Sequence, residues 1–427
     1  MRSWRHCAPP CARPWPRERA VLKATLTLLA GGALAQALPL ALGPWLTRLY
    51  TPAQFGAYAV FAALAANIAV VACARYDYGL PLARDAAEAR ALMALCLRML
   101  LAVGSATLVL SLLLGAFGLL HDWGWLAPAV LAAGAVQWLS LWATRAERFA
   151  SLASSRVTQH GGGALAQVTA GVVSMSAGSA GLVAGPVLGA MAALAWLRHP
   201  APVGGWRGLW SVPRSEWMNA ARRHRQFPLL NTPHAFAGAL QDTLAVALIV
   251  AWSGEPAAGF WGLALRYLKA PATLVGGAVS QALYPRLARA GADEARAAVR
   301  QVMSLLAGFA LPLVALLMLF GPALFARLFG EPWREAGELA RALAPYIGLH
   351  FIASPLAVVT LAWAAQGWAL RLALVGQAMF IAALAIGLQL GGLRGAAWAV
   401  SIAMAPYFGW YFLSLATWKK VPHAAAA

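Results

Sequence analysis

The sequence predicts an all-α integral membrane protein of about twelve transmembrane helices arranged as two related six-helix halves. Three observations carry this. Apolar blocks of about 20 residues run almost from end to end, each long enough to cross a ~30 Å hydrocarbon core as a helix. Hydrophobic residues make up 61% of the chain and charged residues 11%, whereas soluble domains carry about 25% charged residues. Positive charge also alternates. Of 33 Lys and Arg residues, only Arg48, Arg327, Arg334, Arg341 and Arg394 stand in one set of gaps, and Arg98, Arg266 and Lys269 fall inside blocks. All the others occupy the alternate gaps, counting from the N-terminus, which is the positive-inside pattern of a chain with both termini in the cytoplasm.

The blocks run 22–46, 54–75, 92–120, 124–144, 161–178, 181–197, 229–252, 258–284, 302–325, 339–363, 371–390 and 395–417. Residues 1–21 form a basic tail expected to be disordered. The run after it is longer than the apolar core of a signal peptide and belongs to a series, so it reads as an uncleaved first span. The fifth and sixth blocks are short, rich in Gly and Ser, and almost without a loop between them. No gap on the side opposite the termini has room for a folded domain. The largest, 326–338, contains FGEPWREAGEL and reads as an interfacial turn running into a helix.

Residues 198–228 form the longest gap on the basic side. They carry Arg198, Arg207, Arg214, Arg222, Arg223 and Arg225 with Trp206, Trp210 and Trp217. Interfacial helices mix Arg and Trp in this way, which predicts a linker on the cytoplasmic surface between lobes at 22–197 and 229–417. Residues 418–427 are a short cytoplasmic tail. The halves look related: Pro52–Ala53 before Phe55–Gly56 matches Pro256–Ala257 before Gly259–Phe260. Likewise Glu88–Ala89–Arg90 matches Glu294–Ala295–Arg296. Six spans per half keep both halves in the same orientation, so the implied axis runs along the membrane normal.

Charges inside the spans are the candidate functional residues. A cation at bilayer centre costs at least ~2.5–3.5 kcal/mol and usually faces a bundle interior or water. Arg266 and Lys269 stand three apart in the eighth span, predicted on one helix face. Asp242 lies as far before the hairpin turn near residue 255 as these two lie beyond it, so all three share a depth. One carboxylate cannot neutralise two cations. A structural ion pair and a cation cluster facing a cavity, with Asp242 as an ion-coupling group, are the two readings. Arg98 sits two turns inside the third span, where snorkelling or a functional role would serve. Arg75, beside Asp77 in ARYDYGLP, either closes a local salt bridge or meets a phosphate arriving from the inner leaflet. Arg48 stands near the opposite mouth of the first span. His160 and His350 have no ligand partners at useful spacing and read as structural.

Basic charge dispersed among short loops suits topology and anionic lipid rather than nucleic acid. Cys7 and Cys11 lie in the tail with only His6 beside them, and Cys73 and Cys96 sit in apolar spans. Neither a metal site nor a disulfide framework is indicated. The chain lacks a Walker A loop, an HExxH, a nucleophile elbow and paired carboxylates in a far-side loop, so neither ATP use nor catalysis is expected.

LTRLYTPAQFGAYAVF and ARYDYGLPLARDAAEA together resemble the first hairpin of Wzx-type polysaccharide flippases. GFWGLALRYLKAPATLVGGAVSQALYPRLA resembles their eighth span and LFGEPWREAGELARALAPYIGLHFIASPLAVV their ninth-to-tenth segment. The similarity spans most of 22–415 apart from 145–225. These flippases belong to the multidrug/oligosaccharidyl-lipid/polysaccharide exporter superfamily. The resemblance implies two six-helix lobes around a central cavity lined by the first, second, seventh and eighth spans. It implies movement of an undecaprenyl-diphosphate-linked oligosaccharide across the bacterial inner membrane for O-antigen, capsule or exopolysaccharide synthesis. Expected partners are the lipid-linked oligosaccharide, membrane lipids, and a polysaccharide polymerase and chain-length regulator, with the flippase itself a monomer and no cofactor or metal. Arg75, Arg266 and Lys269 occupy suitable spans for receiving the diphosphate. The rival readings are a cation-coupled multidrug exporter of the same superfamily, which would favour an acidic cavity, a membrane O-antigen polymerase or ligase, and a scaffold protein.

Overall fold

A computed structural model describes residues 18–173, 178–199, 201, 205–363 and 365–418. Most of the expected basic tail, with Cys7 and Cys11, and residues 419–427 lie outside them. Among the described residues every regular element is helical. The first lobe is built from α1 (Glu18–Leu49), α2 (Pro52–Ala69), α3 (Ala86–Ala116), α4 (Leu126–Arg145), α5 (Phe149–Val157), α6 (Gly163–Val173) and α7 (Ala180–Leu197). A linker carrying α8 (Arg214–Arg223) leads to the second lobe. That lobe comprises α9 (Thr232–Arg289), α10 (Ala292–Phe329), α11 (Arg334–Ala362) and α12 (Gln366–Ala416).

Nine of the described helical stretches are long and apolar enough to cross a membrane. Two of them cross twice. The backbone of α9 breaks at Gly254 (φ 81°) and that of α12 at Gly391–Gly392 (φ 59° at Gly392), a conformation that favours a residue without Cβ. The bend in α9 is a hairpin, because Asp242 and Lys269 line one cavity, whereas a straight helix would hold them about 40 Å apart. One further crossing joins α5 and α6 through a π turn at Thr158–Gly162. The described chain therefore makes twelve crossings.

The fifth crossing begins at Phe149, not at 161. Its first half, SLASSRVTQHGG, is polar enough to read as loop. Yet Ser151, Leu152, Ala153 and Ser155 are buried, and Ala153 packs against Gly31 of α1. Other helices also start earlier than their apolar blocks, among them α1 at Glu18, α3 at Ala86 and α10 at Ala292. Their first turns are polar or amphipathic and extend past the apolar segment on the basic side.

The lobes meet away from that side, through a reciprocal contact. Gly56 of α2 faces the carbonyl of Glu255, and a Cβ there would stand 1.8 Å from that oxygen; Gly259 faces the carbonyl of Pro52, at 2.0 Å. Residues 52 and 255, like 56 and 259, are separated by 203 positions, so each contact is the other's image, as in an isologous two-fold interface. The repeated Pro-Ala and Phe/Gly motifs are thus the surfaces by which the halves touch. Trp333 seals the same end. Its ring packs edge-on against Phe55 at 4.9 Å and Phe260 at 5.9 Å, and its Nε1 donates to the Thr47 carbonyl at 3.0 Å. That carbonyl lies in the last turn of α1, where the helix supplies no N–H. His121 and Glu255 form an ion pair across the lobes at 3.4 Å.

On the basic side the linker is tied to α3. The Arg98 guanidinium donates to the carbonyls of Ala94, Leu209, Trp210 and Val212 and lies over the Trp217 ring. Arg98 is therefore a clamp for the linker and not a cavity cation. Glu88 accepts from the Arg84 N–H and from Arg223, and contacts His224. Although burial pushes its carboxyl upward, these hydrogen bonds pull it from the ordinary 4.5 down to about 2.

Leucine at Gly56 or Gly259 should wedge the lobes apart at the far end. We expect either variant to raise impermeant-maleimide labelling of a cysteine replacing Thr47, with labelling at wild-type levels contradicting the close approach. The depressed Glu88 carboxyl makes linker docking fully present above its ordinary value and lost as pH falls through its folded value. Hydrogen exchange in α8 should therefore stay slow down to about pH 4.5 and accelerate towards about pH 2, while Glu88→Gln exchanges fast at neutral pH.

Candidate functional site

The site lies where the second arm of α9 (255–289) leans on α1. Pro44 has no N–H to offer the Leu40 carbonyl one turn earlier, which leaves that acceptor orphaned inside the helix. The other lobe satisfies it: the Tyr267 hydroxyl donates to the Leu40 carbonyl at 2.6 Å. Gly43 admits the ring, because a Cβ there would collide with the Tyr267 hydroxyl. Arg266 donates through Nη2 to the Pro39 carbonyl at 3.3 Å, next to the second proline of the helix.

One further cation and an imidazole share this region. Arg156 of α5 reaches α1 at Gly32, with Nη1 3.9 Å from where a Cβ would stand. Gly32 and Pro39 are seven residues apart and lie on one face of α1, roughly 10 Å apart along its axis. His160, in the π turn, is within electrostatic reach of both Arg156 and Arg266. Among the described residues no carboxylate forms an ion pair with any of the three. The result is two guanidinium groups, one from each lobe, with an imidazole within reach of both, beside a proline-weakened helix. Hydropathy hides Arg156 in a basic-side gap, and the π turn that presents His160 has no sequence signature; π turns in helices are frequent at functional sites.

Lys269 does not share this face. Three residues turn a helix by roughly 300°, which leaves Arg266 and Lys269 about 60° apart, and here that offset falls on opposite sides of a wall. Arg266 looks towards the first lobe. Lys269 looks into a cavity of about 930 Å³ inside the second lobe, together with Asp242, Tyr346, His350, Gln377 and Tyr407. Asp242 and Lys269 do not meet in an ion pair, so the structural pair that the sequence allows is not formed. His350 faces this cavity rather than a packed core.

The remaining candidates lie apart. Arg48 is exposed in the last turn of α1, at the far end. Arg75 follows α2 on the basic side, at φ 60° before the 3-10 turn Tyr76–Leu82. It bonds Tyr78 at 2.8 Å and stacks on that ring, leaving its Nε buried and unpaired. It makes no salt bridge with Asp77, which is 1% exposed and accepts from Gln137, at 3.4 Å, and from the backbone N–H groups of Asp77 and Tyr78. Burial pushes the Asp77 carboxyl up, against the pull of Gln137 and Arg75.

Twelve crossings and two lobes joined by a symmetric contact, with a cavity inside the second lobe, define a two-lobed polytopic helical membrane fold. The chain belongs to the family of polysaccharide biosynthesis proteins, whose model matches residues 93–338. Its fold is similar to that of the lipid II flippase MurJ in an inward closed conformation, at 10% identity over 92% of this chain and 90% of that one, with a TM-score of 0.67. It is also similar to an inward-facing multidrug resistance MATE transporter of the MOP superfamily (16% identity, 92% and 93% covered, TM-score 0.58). A MOP superfamily transporter from Pyrococcus furiosus Vc1, described as having a binding pocket of reverse polarity, aligns at 15% identity over 93% and 96% with a TM-score of 0.55. Comparison with curated proteins finds no match.

The Tyr267 bond carries its own test. Tyr267→Phe leaves the Leu40 carbonyl unpaired and should destabilise the detergent-solubilised protein by about 1–3 kcal/mol. In a Pro44→Ala background, where the helix regains its N–H, the same change should have less than half that effect. Equal effects in the two backgrounds would contradict the orphan-carbonyl account.

Proposed function

We propose that the protein moves an undecaprenyl-diphosphate-linked oligosaccharide from the inner to the outer leaflet of the bacterial cytoplasmic membrane, by alternating access between its lobes, for polysaccharide synthesis. The basic side is then cytoplasmic, with both termini, following the positive-inside rule. The observation that carries the reading is the pair of guanidinium groups of Arg156 and Arg266, one from each lobe, with the His160 imidazole within reach of both and no carboxylate paired with them among the described residues. Unneutralised charge at this depth is unfavourable and needs a ligand to account for it. A diphosphate supplies two negative charges and several acceptor oxygens, which guanidinium groups bind through paired hydrogen bonds.

Alternating access needs cargo to favour one state over another. Arg156 belongs to the first lobe and Arg266 to the second, so a diphosphate held between them draws the lobes together where α1 is weakened by two prolines. The polyprenyl tail stays in lipid throughout. The protein forms and breaks no covalent bond in this cycle. A polymerase and a chain-length regulator are its expected partners downstream, and it acts as a monomer. A cation-coupled drug exporter would place acidic groups where these cations stand.

Reconstitution in vesicles with a fluorescent lipid-linked oligosaccharide, scored by its access to an outside reagent, tests the reading. Arg156→Ala with Arg266→Ala should slow translocation by about 10- to 100-fold, the loss expected for charge-assisted hydrogen bonds of 1.5–3 kcal/mol, while Arg48→Ala translocates normally. A double variant as fast as wild type would refute the cation site. Wild-type vesicles no faster than empty ones would refute the flippase reading.

A further inference from the structure

We propose that the chamber inside the second lobe is a saccharide-binding site that holds the glycan of the cargo while the diphosphate stays on Arg156 and Arg266, beside His160. The identity of the cargo rests on the flippase reading, but the class of ligand follows from the chamber's own chemistry. Its volume of about 930 Å³ falls within the range of about 300–1,000 Å³ common for organic ligands, far beyond what a bound ion occupies.

The walls combine flat aromatic faces with free hydrogen-bonding groups. Tyr346, Tyr407 and Tyr411 face the chamber and are held by ring contacts, Tyr346 with Phe380 at 5.7 Å and Tyr407 with Phe408 at 5.1 Å. Aromatic faces are electron-rich and pair with the polarised C–H face of a pyranose. Gln241, Asp242, Lys269 and Gln377 supply donors and acceptors around the same space. No described residue engages the side-chain polar atoms of these four.

That set discriminates among occupants. A polyprenyl or acyl chain would leave four hydrogen-bonding side chains unsatisfied, at about 1–3 kcal/mol each. A lone metal ion calls for clustered carboxylates, and the chamber presents one carboxylate offset by one ammonium; that ammonium also repels a lipophilic cation, which the aromatic faces alone would suit. A polyhydroxyl ligand uses every element: C–H faces on the tyrosines, and hydroxyls on the amides, the carboxylate and the ammonium. Placement fits as well. Arg266 and Lys269 are less than one turn apart on adjoining faces of the same arm of α9, roughly 5 Å along its axis. A diphosphate on Arg266 therefore brings the first sugar to the chamber's edge at Lys269.

Native mass spectrometry of the full-length protein in lipid nanodiscs tests this with three probes. These are the lipid-linked oligosaccharide extracted from the producing bacterium, bare undecaprenyl diphosphate, and the oligosaccharide released by mild acid. Wild type should retain the glycosylated lipid about tenfold over bare undecaprenyl diphosphate, the worth of one or two stacking contacts. Tyr407→Leu with Gln377→Leu, and separately Tyr411→Leu, should erase that preference while still binding the bare lipid, which also shows that they fold. Arg156→Ala with Arg266→Ala should weaken both lipids alike. Chamber variants that keep the preference overturn the proposal, and so do variants that lose both lipids equally while melting like wild type, since the chamber would then hold the tail. Binding of the released glycan through the chamber without binding of either lipid would uphold the chamber and refute the cargo. No binding of any probe by wild type would refute both.

Discussion

The contact on which the rest of the structure depends is the reciprocal meeting of Gly56 with Glu255 and Gly259 with Pro52. Backbone reaches backbone there because neither glycine has a Cβ, and the twofold relation makes one close approach enforce the other. Around it, α1 offers two carbonyls that its own helix cannot satisfy, Thr47 at its end and Leu40 before Pro44. The second lobe donates to both, through Trp333 and Tyr267. In a bilayer an unsatisfied carbonyl has no water to turn to, so these two bonds hold the lobes together more firmly than their number suggests. They are also few, directional and confined to the far half of α1. An interface of this kind holds one state and is able to release it.

Charge is distributed by the same logic. Arg98, half-buried in α3, is satisfied by four carbonyls and an indole and fastens the linker. Arg156 and Arg266, with His160 within reach of both, stand where the lobes approach and have no carboxylate paired with them among the described residues; Arg266 has one carbonyl, that of Pro39. Lys269 and Asp242 face a second space without neutralising one another. The second arm of α9 is the partition between the two, presenting Arg266 on one side and Lys269 on the other. A cargo with a compact dianion joined to a polyhydroxyl chain fits that division: the dianion on the first side, the sugars on the second. The polysaccharide biosynthesis family to which the chain belongs is consistent with such a cargo.

Much of this was legible in the sequence. Twelve crossings follow from apolar length and alternating charge, and the Pro-Ala and Phe/Gly repeat held three of the four residues of the two-fold contact, Pro52, Gly56 and Gly259. It did not hold Glu255, which the structure sets opposite Gly56 and which matches Pro52 at an offset of 203, where the repeated prolines are 204 apart. The common depth of Asp242 and Lys269 followed from counting back from the hairpin turn. Other features were out of reach. Hydropathy averages over a window, so the polar first half of the fifth crossing, buried in the bundle, passed for loop and took Arg156 with it. A three-residue spacing places two side chains near one face, but whether an offset of about 60° matters depends on where a wall falls, and only packing decides that. Arg98 has the same sequence signature as a cavity cation. Its fate was set by linker carbonyls more than a hundred residues away.

The central claim is that the far-side contact must part for cargo to cross. Cysteines replacing Phe55 and Trp333, whose rings lie 4.9 Å apart, and bridged by a short bis-thiol reagent, would lock that end shut in reconstituted vesicles. The account predicts that the locked protein still binds the lipid-linked oligosaccharide but ceases to translocate it, and that a cleavable bridge restores transport when cut. Translocation at the unbridged rate by the locked protein would contradict it.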